Sequence, residues 1–564
     1  MSNTTQLPET QYAVQLVGPS QLRLNREKEV FRPTGYQILG KVEATGLCFS
    51  DLKLLKQFQD HPRKAPVISG MDLQEVERIP SYVPHDKPTV PGHETVIRIV
   101  AVGDKVRRHK VGQRCLVQTD YRGLPSSLKG NASFGYNFEG GLQEYVLIDE
   151  RVSRDFDTDE SFLLPAREER SAAAIALVEP WACVEDSYQN PERQRIKAGG
   201  HLLVVADSGH AIEGLTESFH ASGKPGSLTL LCPEASQRTP LQNLGIPTQV
   251  VENVEAVPNS AFDDIVYFGA TPETIEALAS KPGDRCIVNI VTGGKQIGRP
   301  VQIGIGRVHY GQHRWIGTTG SSAAESYRTI PANGEVRDGD RCLVIGAGGP
   351  MGQMHVIRDI CSGAKDLKVF GTDFDDARLN SLSEIAAPLA KQNKVELVIA
   401  NPTKSPLEGT FSYLAIMVPI APVVSDAIVK SAPGACINIF AGIPAPTIHP
   451  IDLDMLIAKR CFLFGTSGSV LRDMKIMLEK VESGQLDTNL SVDAVSGMEG
   501  AISGIEAVEN RTLAGKIIVY PQLRDMPLIP LSQLEKTYPT VAAKLQAGRW
   551  TRAAEEELLR VAAH

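Results

Sequence analysis

Short apolar runs closed by glycine recur along the rear two thirds of the chain. Leu343, Val344 and Ile345 form one such run, and Gly346, Gly348 and Gly352 follow at once. That pattern predicts a buried parallel strand entering a tight turn. Residues 353–360 then open a helix. A second run, 368–372, ends on Asp373, 25 positions after Gly348. Further strands are predicted over 395–400, 413–418, 436–442 and 516–520, and helices over 474–485, 497–510 and 551–563. The front of the chain reads differently. Residues 95–102 alternate and then run apolar, Gly103-Asp104 makes a turn, 106–117 returns, and 140–148 follows a glycine pair. Alternation between turn signals predicts a compact β domain over the first 180 or so residues.

The rear of the chain repeats itself. Glu-Asp-Ser-Tyr188 resembles Ala-Glu-Ser-Tyr327, 139 positions later, and Leu203–Gly209 lies over Cys342–Gly348 at the same spacing. Trp315-Ile-Gly-Thr-Thr-Gly-Ser321 returns as Leu463-Phe-Gly-Thr-Ser-Gly-Ser469, 148 positions on. A repeat of this size is a duplicated domain rather than a solenoid. The organisation expected is therefore residues 1–184 as a β domain with the candidate chemistry, 185–322 and 323–490 as two tandem α/β units, and 491–564 as a return to the first domain with a tail.

The 564 residues carry 42% hydrophobic and 22% charged positions and a net charge of −8. These values describe an ordinary globular protein and give no sign of nucleic-acid or membrane binding. The first ten residues are polar, no run is long enough to span a membrane, and nine scattered cysteines contain no Cys-x-x-Cys pair. Reduced thiols in a cytoplasm are the expectation.

The two copies differ chemically. Gly346, Gly348, Gly349, Pro350, Met351 and Gly352 form a glycine-rich turn before a helix, as a pyrophosphate requires. Asp373 at the next strand tip suits a ribose diol and repels a 2′-phosphate, which favours NAD. In the first copy Asp207 and Glu213 replace Gly346 and Gly352, so that copy reads as structural or interface-forming. Glu234 lies over Asp373, which leaves a ribose-like ligand open there. In the second copy Ala441-Gly442 and Thr466-Ser467 end later strands in small-residue turns, and Arg378 follows Asp373. In the front domain Cys48-Phe-Ser-Asp51, His93-Glu94 and Glu179-Pro180 bring thiolate, imidazole and carboxylate, a set able to hold a catalytic zinc.

Together these stretches resemble the medium-chain zinc-dependent dehydrogenases of the alcohol and polyol dehydrogenase superfamily. The matching segments include Gly46-Leu-Cys-Phe-Ser-Asp-Leu-Lys53, Val90-Pro-Gly-His-Glu94, Gly140-Gly-Leu-Gln-Glu-Tyr145, Val178-Glu-Pro180 and Gly515-Lys-Ile-Ile-Val-Tyr-Pro521. The resemblance implies a GroES-like β domain followed by Rossmann-like doubly wound parallel sheets. It implies one catalytic zinc on Cys48, His93 and Glu94, with Glu179 as a ligand or the holder of its water. It casts Ser50 as the proton relay and Asp51 as the residue orienting His93. NAD would lie on the 346–352 turn, Asp373 and Arg378, with Ala441, Gly442, Thr466 and Ser467 near the nicotinamide. The implied partner is a small-molecule secondary alcohol or ketone, a polyol or sugar derivative, and the implied assembly a dimer or tetramer.

The chain departs from that family in two further ways. The four-cysteine structural zinc lobe is missing, since only Cys115 lies between His93 and Gly140. Cys48 and His93 are separated by an insertion of roughly residues 57–87 that includes His61-Pro-Arg63-Lys64 and reads as a lid, a dimer contact or a substrate-phosphate clamp; this spacing resembles the sugar-phosphate reductase branch. A phosphoketose reductase and a non-catalytic NAD-binding sensor are therefore kept as alternatives.

Overall fold

A computed structural model describes residues 7–563, so the first six positions of the polar start and His564 fall outside it. Chain contacts divide it into two compact units, Met1–Glu185 with Ser469–His564, and Asp186–Gly468.

The first unit is built on an eight-stranded, largely antiparallel sheet. Its central strand, Gln37–Gly46, pairs with Glu94–Val102 on one side and with Lys516–Val519 on the other. Gly46 is thereby the register partner of both Glu94 and Ile518. Tyr145–Asp149 joins the same central strand. Two strands are shorter than their apolar pattern suggests. The returning strand starts at Arg114, not Val106, because Gly103 and Lys105 donate backward to the carbonyls of Gln37 and Gly35. Likewise Gly140 and Gly141 donate to Val90 and Gly92, and the strand begins only at Tyr145. Helix Ala501–Glu509 makes the crossover between the parallel strands Val492–Ser496 and Lys516–Val519. Its Ala501 and Ile505 share an apolar cluster with Leu52 and Leu55 of helix Phe49–Gln57.

The second unit is a single twelve-stranded sheet. Its first six strands run in the order 248–250, 227–231, 201–206, 262–268, 282–291 and 314–318. That is the 3-2-1-4-5-6 order of a doubly wound nucleotide fold. The second six repeat it in mirror sequence, from 462–464 through 431–439, 411–416, 341–345 and 368–372 to 396–400. Strand pairing within each half is parallel. The halves meet where Arg314–Thr318 pairs antiparallel with Phe462–Phe464, Trp315 opposite Leu463. A second antiparallel contact sets Gln302 opposite Pro450. Both pairs join positions 148 apart, so equivalent residues of the two copies face each other across a local two-fold axis.

The copies are unequal in one element. In the second, strand Arg341–Ile345 leads into helix Pro350–Ile360. In the first, strand His201–Ala206 leads into a loop whose only helical turn is Thr216–Ser218. No helix among the described residues is long and apolar enough to cross a membrane.

Leu463 and Trp315 are fully enclosed at the junction. Leu463→Ala is expected to lower unfolding stability by about 2–5 kcal/mol, read from urea midpoints, because a tightly paired strand cannot collapse into the vacated space. A change below about 0.5 kcal/mol would mean the two halves are not held by this seam.

Candidate metal centre and dinucleotide turn

Cys48 is the N-cap of helix Phe49–Gln57. The helix start fixes the next two groups. Asp51, at the third helical position, accepts from the Cys48 backbone N–H at 3.3 Å with one oxygen. Its other oxygen lies 2.9 Å from His93 Nδ1. One carboxylate therefore caps the helix and holds the imidazole by one nitrogen, which turns Nε2 toward the thiol. Ser50 Oγ stands 3.1 Å from both Cys48 Sγ and His93 Nε2.

Glu94 follows His93 at the start of its strand and is wholly buried. One of its oxygens pairs with Lys516 Nζ, and the other has no hydrogen-bond partner. Cys48, His93 and Glu94 place their donor atoms within 4.8 Å of one another. Close backbone approach permits this, since a Cβ on Gly46 would stand 2.1 Å from the unpartnered Glu94 oxygen. Glu179, on helix Val178–Gln189, is buried but lies outside that three-residue group.

The electrostatics follow from burial. Desolvation is the main cause that pushes the Glu179 carboxyl up to about 7, with His93 opposing and Glu94 adding. Burial alone would lower the His93 pKa, but Asp51 and Tyr136 outweigh it and carry it well above its ordinary range. Burial likewise works against the Lys516 ammonium, and Glu94 then raises it above the usual lysine value. Tyr136 packs against His93 with ring centroids 5.7 Å apart. Lys516 and Tyr136 are the residues of this cluster that sequence reading did not single out. Lys516 sits inside the Gly515–Pro521 match, where an unpaired-looking lysine in an apolar strand was the available signal.

In the second unit, Gly346 takes a left-handed φ of +86°, and its N–H donates to Thr372. Gly349 caps the helix that Pro350 and Met351 begin. A Cβ on Gly352 would stand 2.2 Å from the Gly346 carbonyl oxygen, so only glycine lets the helix pack this close to the turn. Asp373 accepts from the Gly348 N–H at 3.0 Å. Arg378 lies near it, paired at 3.6 Å with Asp375. Ala441 and Gly442 follow strand Ser431–Ile439, and Ala441 N–H donates to Ile416 at 2.9 Å. Thr466 is buried with an unpartnered hydroxyl, and Ser467 beside it is exposed.

Residues 35–154 match the alcohol dehydrogenase GroES-like domain. The chain is 24% identical over 287 residues to the uncharacterized protein YggP of Escherichia coli, covering 45% of this chain and 65% of that one. It is 32% identical over 126 residues to (R,R)-butanediol dehydrogenase of Bacillus subtilis, covering 20% of this chain and 36% of that one. These matches span less than two thirds of either relative's length. The crystal structure of 2R,3R-butanediol dehydrogenase from Bacillus subtilis shares the fold, with a TM-score of 0.50 at 15% identity over 91% of this chain and all of that one. Residues 35–154 are therefore similar to a GroES-like domain of alcohol dehydrogenases, and the fold of the chain is similar to that of the butanediol dehydrogenase.

Lys516→Met is expected to cost about 3–5 kcal/mol in thermal or urea unfolding, because it leaves Glu94 buried and unpaired. Adding Glu94→Gln to that variant should recover a large part of the loss. Strictly additive losses in the double variant would show that the pair is not coupled.

Proposed function

We propose that the chain is a zinc- and NAD-dependent oxidoreductase that moves hydride between NAD and a secondary alcohol or ketone, a polyol or sugar derivative. The observation that carries this reading is the Cys48–His93–Glu94 donor set, with Cys48 half-buried, His93 and Glu94 buried and one Glu94 oxygen left unpartnered. A thiolate, an imidazole and a carboxylate at this spacing suit zinc and leave a coordination position open. Zinc bound there would supply Lewis acidity that lowers the pKa of a substrate hydroxyl, and NAD would supply the hydride acceptor.

The chain's own residues then have distinct tasks. Asp51 fixes the His93 tautomer through Nδ1. Ser50 holds a hydroxyl between Sγ and Nε2, where it can take a proton from a substrate alcohol and pass it on. Glu179 adds a carboxyl whose pKa near neutrality lets it accept or release a proton beside the donor set. The 346–352 turn and Asp373 hold the dinucleotide through backbone N–H groups and a ribose diol.

Purified protein is expected to hold one zinc per chain and to reduce NAD with a member of a polyol panel, read at the reduced-nicotinamide absorbance band. Asp51→Asn should weaken zinc by about 10–100-fold in chelator competition, with helicity unchanged. Unaltered zinc affinity would reduce Asp51 to a helix cap.

One observation favours a narrower reading, a substrate that carries an anion such as a phosphorylated ketose. The Arg63 guanidinium lies 5.4 Å over the Tyr136 ring and, among the described residues, has no ion-pair partner. Asp120, in electrostatic reach of it, pairs with Arg122 instead. Lys64 does not share the task. It is fully buried, and its ammonium donates to the carbonyls of Val83 and Lys87, tying the insertion together. Arg63→Ala is expected to raise KM for phosphorylated ketoses about tenfold or more while sparing neutral polyols. Equal effects on both would remove the anion from the reading.

A further inference from the structure

We propose that the first α/β half of the second unit holds a nucleoside site for an adenosine-type ligand without a diphosphate. A cavity of about 450 Å³ opens at the carboxyl ends of its first three strands. Val205, Leu231, Val250 and Val251 give it apolar walls, and Asp207, Glu252, Thr274 and Arg238 form its polar side, where Arg238 donates to the Cys232 and Pro233 carbonyls. Ligands of open α/β sheets bind at this end of the strands, and a slot with apolar walls suits the faces of a base.

The acid at its rim repeats the second half. Asp373 accepts from the N–H of Gly348, 25 positions earlier. Glu234 accepts from the N–H of Gly209, also 25 positions earlier, at 2.7 Å, and from the Ser208 hydroxyl at 2.7 Å. Glu234 directly follows Pro233, which lines the cavity, and its carboxylate is open to solvent. Its second oxygen accepts only a 3.3 Å contact from the Ser236 hydroxyl and keeps lone pairs free for a vicinal diol.

The rest of a dinucleotide is excluded. Asp207 stands where the second half has Gly346, held by the hydroxyls of Tyr267 at 2.8 Å and Thr271 at 2.9 Å. It would repel a diphosphate at short range. No helix N-terminus replaces that lost attraction, since the chain after the first strand forms a loop. His210, at the place of Gly349, is buried with its Nδ1 unpartnered. It packs on Gly293, at the place of Ala441, where an added Cβ would stand 3.4 Å from the ring. What remains is room for a base and an uncharged ribose. The choice of adenine rests on the NAD reading of the second half; the cavity and its acid do not.

The test is calorimetric titration of the full chain with adenosine, in the presence and absence of saturating NAD. One adenosine per chain is expected to bind under both conditions. Glu234→Gln, which keeps the side-chain size and an acceptor oxygen, should weaken adenosine about tenfold or more while leaving the NAD titration unchanged. Thr274→Phe, which fills the cavity without touching the acid, should abolish adenosine binding and spare NAD. Adenosine binding that NAD competes away completely, or that both variants leave intact, would overturn the proposal, as would NAD binding without any adenosine binding. If NAD fails to bind while adenosine binds in a Glu234-dependent way, this site stands and the dehydrogenase reading falls.

Discussion

The structure depends on how two sheet edges are closed. The sixth strand of an open doubly wound sheet leaves a row of unpaired backbone groups, and such an edge must be covered or paired. Here Arg314–Thr318 and Phe462–Phe464 pair with each other inside one chain. The two halves then share one apolar core that runs from Leu203 and Ile265 through Trp315 and Leu463 to Ile437 and Leu343. Neither half can leave without exposing the edge of the other. That constraint separates stability from chemistry, because the first copy closes the sheet whether or not it binds anything.

A comparable constraint shapes the front unit. Glu94 and Glu179 are buried carboxyls near the buried His93 imidazole and the half-buried Cys48 thiol. Burial raises the pKa of such a carboxyl, and a neighbouring Glu94 adds to the shift, as Glu179 shows. Balance arrives from the far end of the sequence. The strand Lys516–Val519 joins the central strand beside Gly46 and delivers an ammonium to Glu94 across 422 positions. The late return of the chain is thus part of the site, not merely a closing strand.

Local features were legible in the sequence because their causes are local. The glycine turn, the apolar strands and the spacing of the repeat follow from neighbouring residues, and Asp51 could be paired with His93 from the resemblance alone. Three things were not legible. The Lys516–Glu94 pair depends on strand order, which no short window encodes. The strand starts at Arg114 and Tyr145 are set by backbone donors bonding elsewhere, so apolar pattern overran them. The loss of the helix after Ala206 was visible only as two misplaced acids, Asp207 and Glu213. The sequence shows that those acids would repel an anion, but not that Glu213 would be carried to the edge of the next segment, paired with the Ser321 hydroxyl.

The surviving acid at the second strand tip shows why a motif residue and a binding residue are different claims. Glu234 and Asp373 both hold the N–H of a turn glycine, so each has a structural reason to be where it is. That bond alone would keep a carboxylate at the strand tip in a half that binds nothing. What distinguishes the halves is the volume next to the acid and the backbone across from it. The second half has a left-handed Gly346 and a helix so close to its carbonyl that a Cβ on Gly352 would stand 2.2 Å from the oxygen. The first half has a carboxylate and a histidine in that space and a cavity at the carboxyl ends of its strands instead. The same two-strand frame therefore carries different space next to its acid in each copy, and the side chains on the turn decide which.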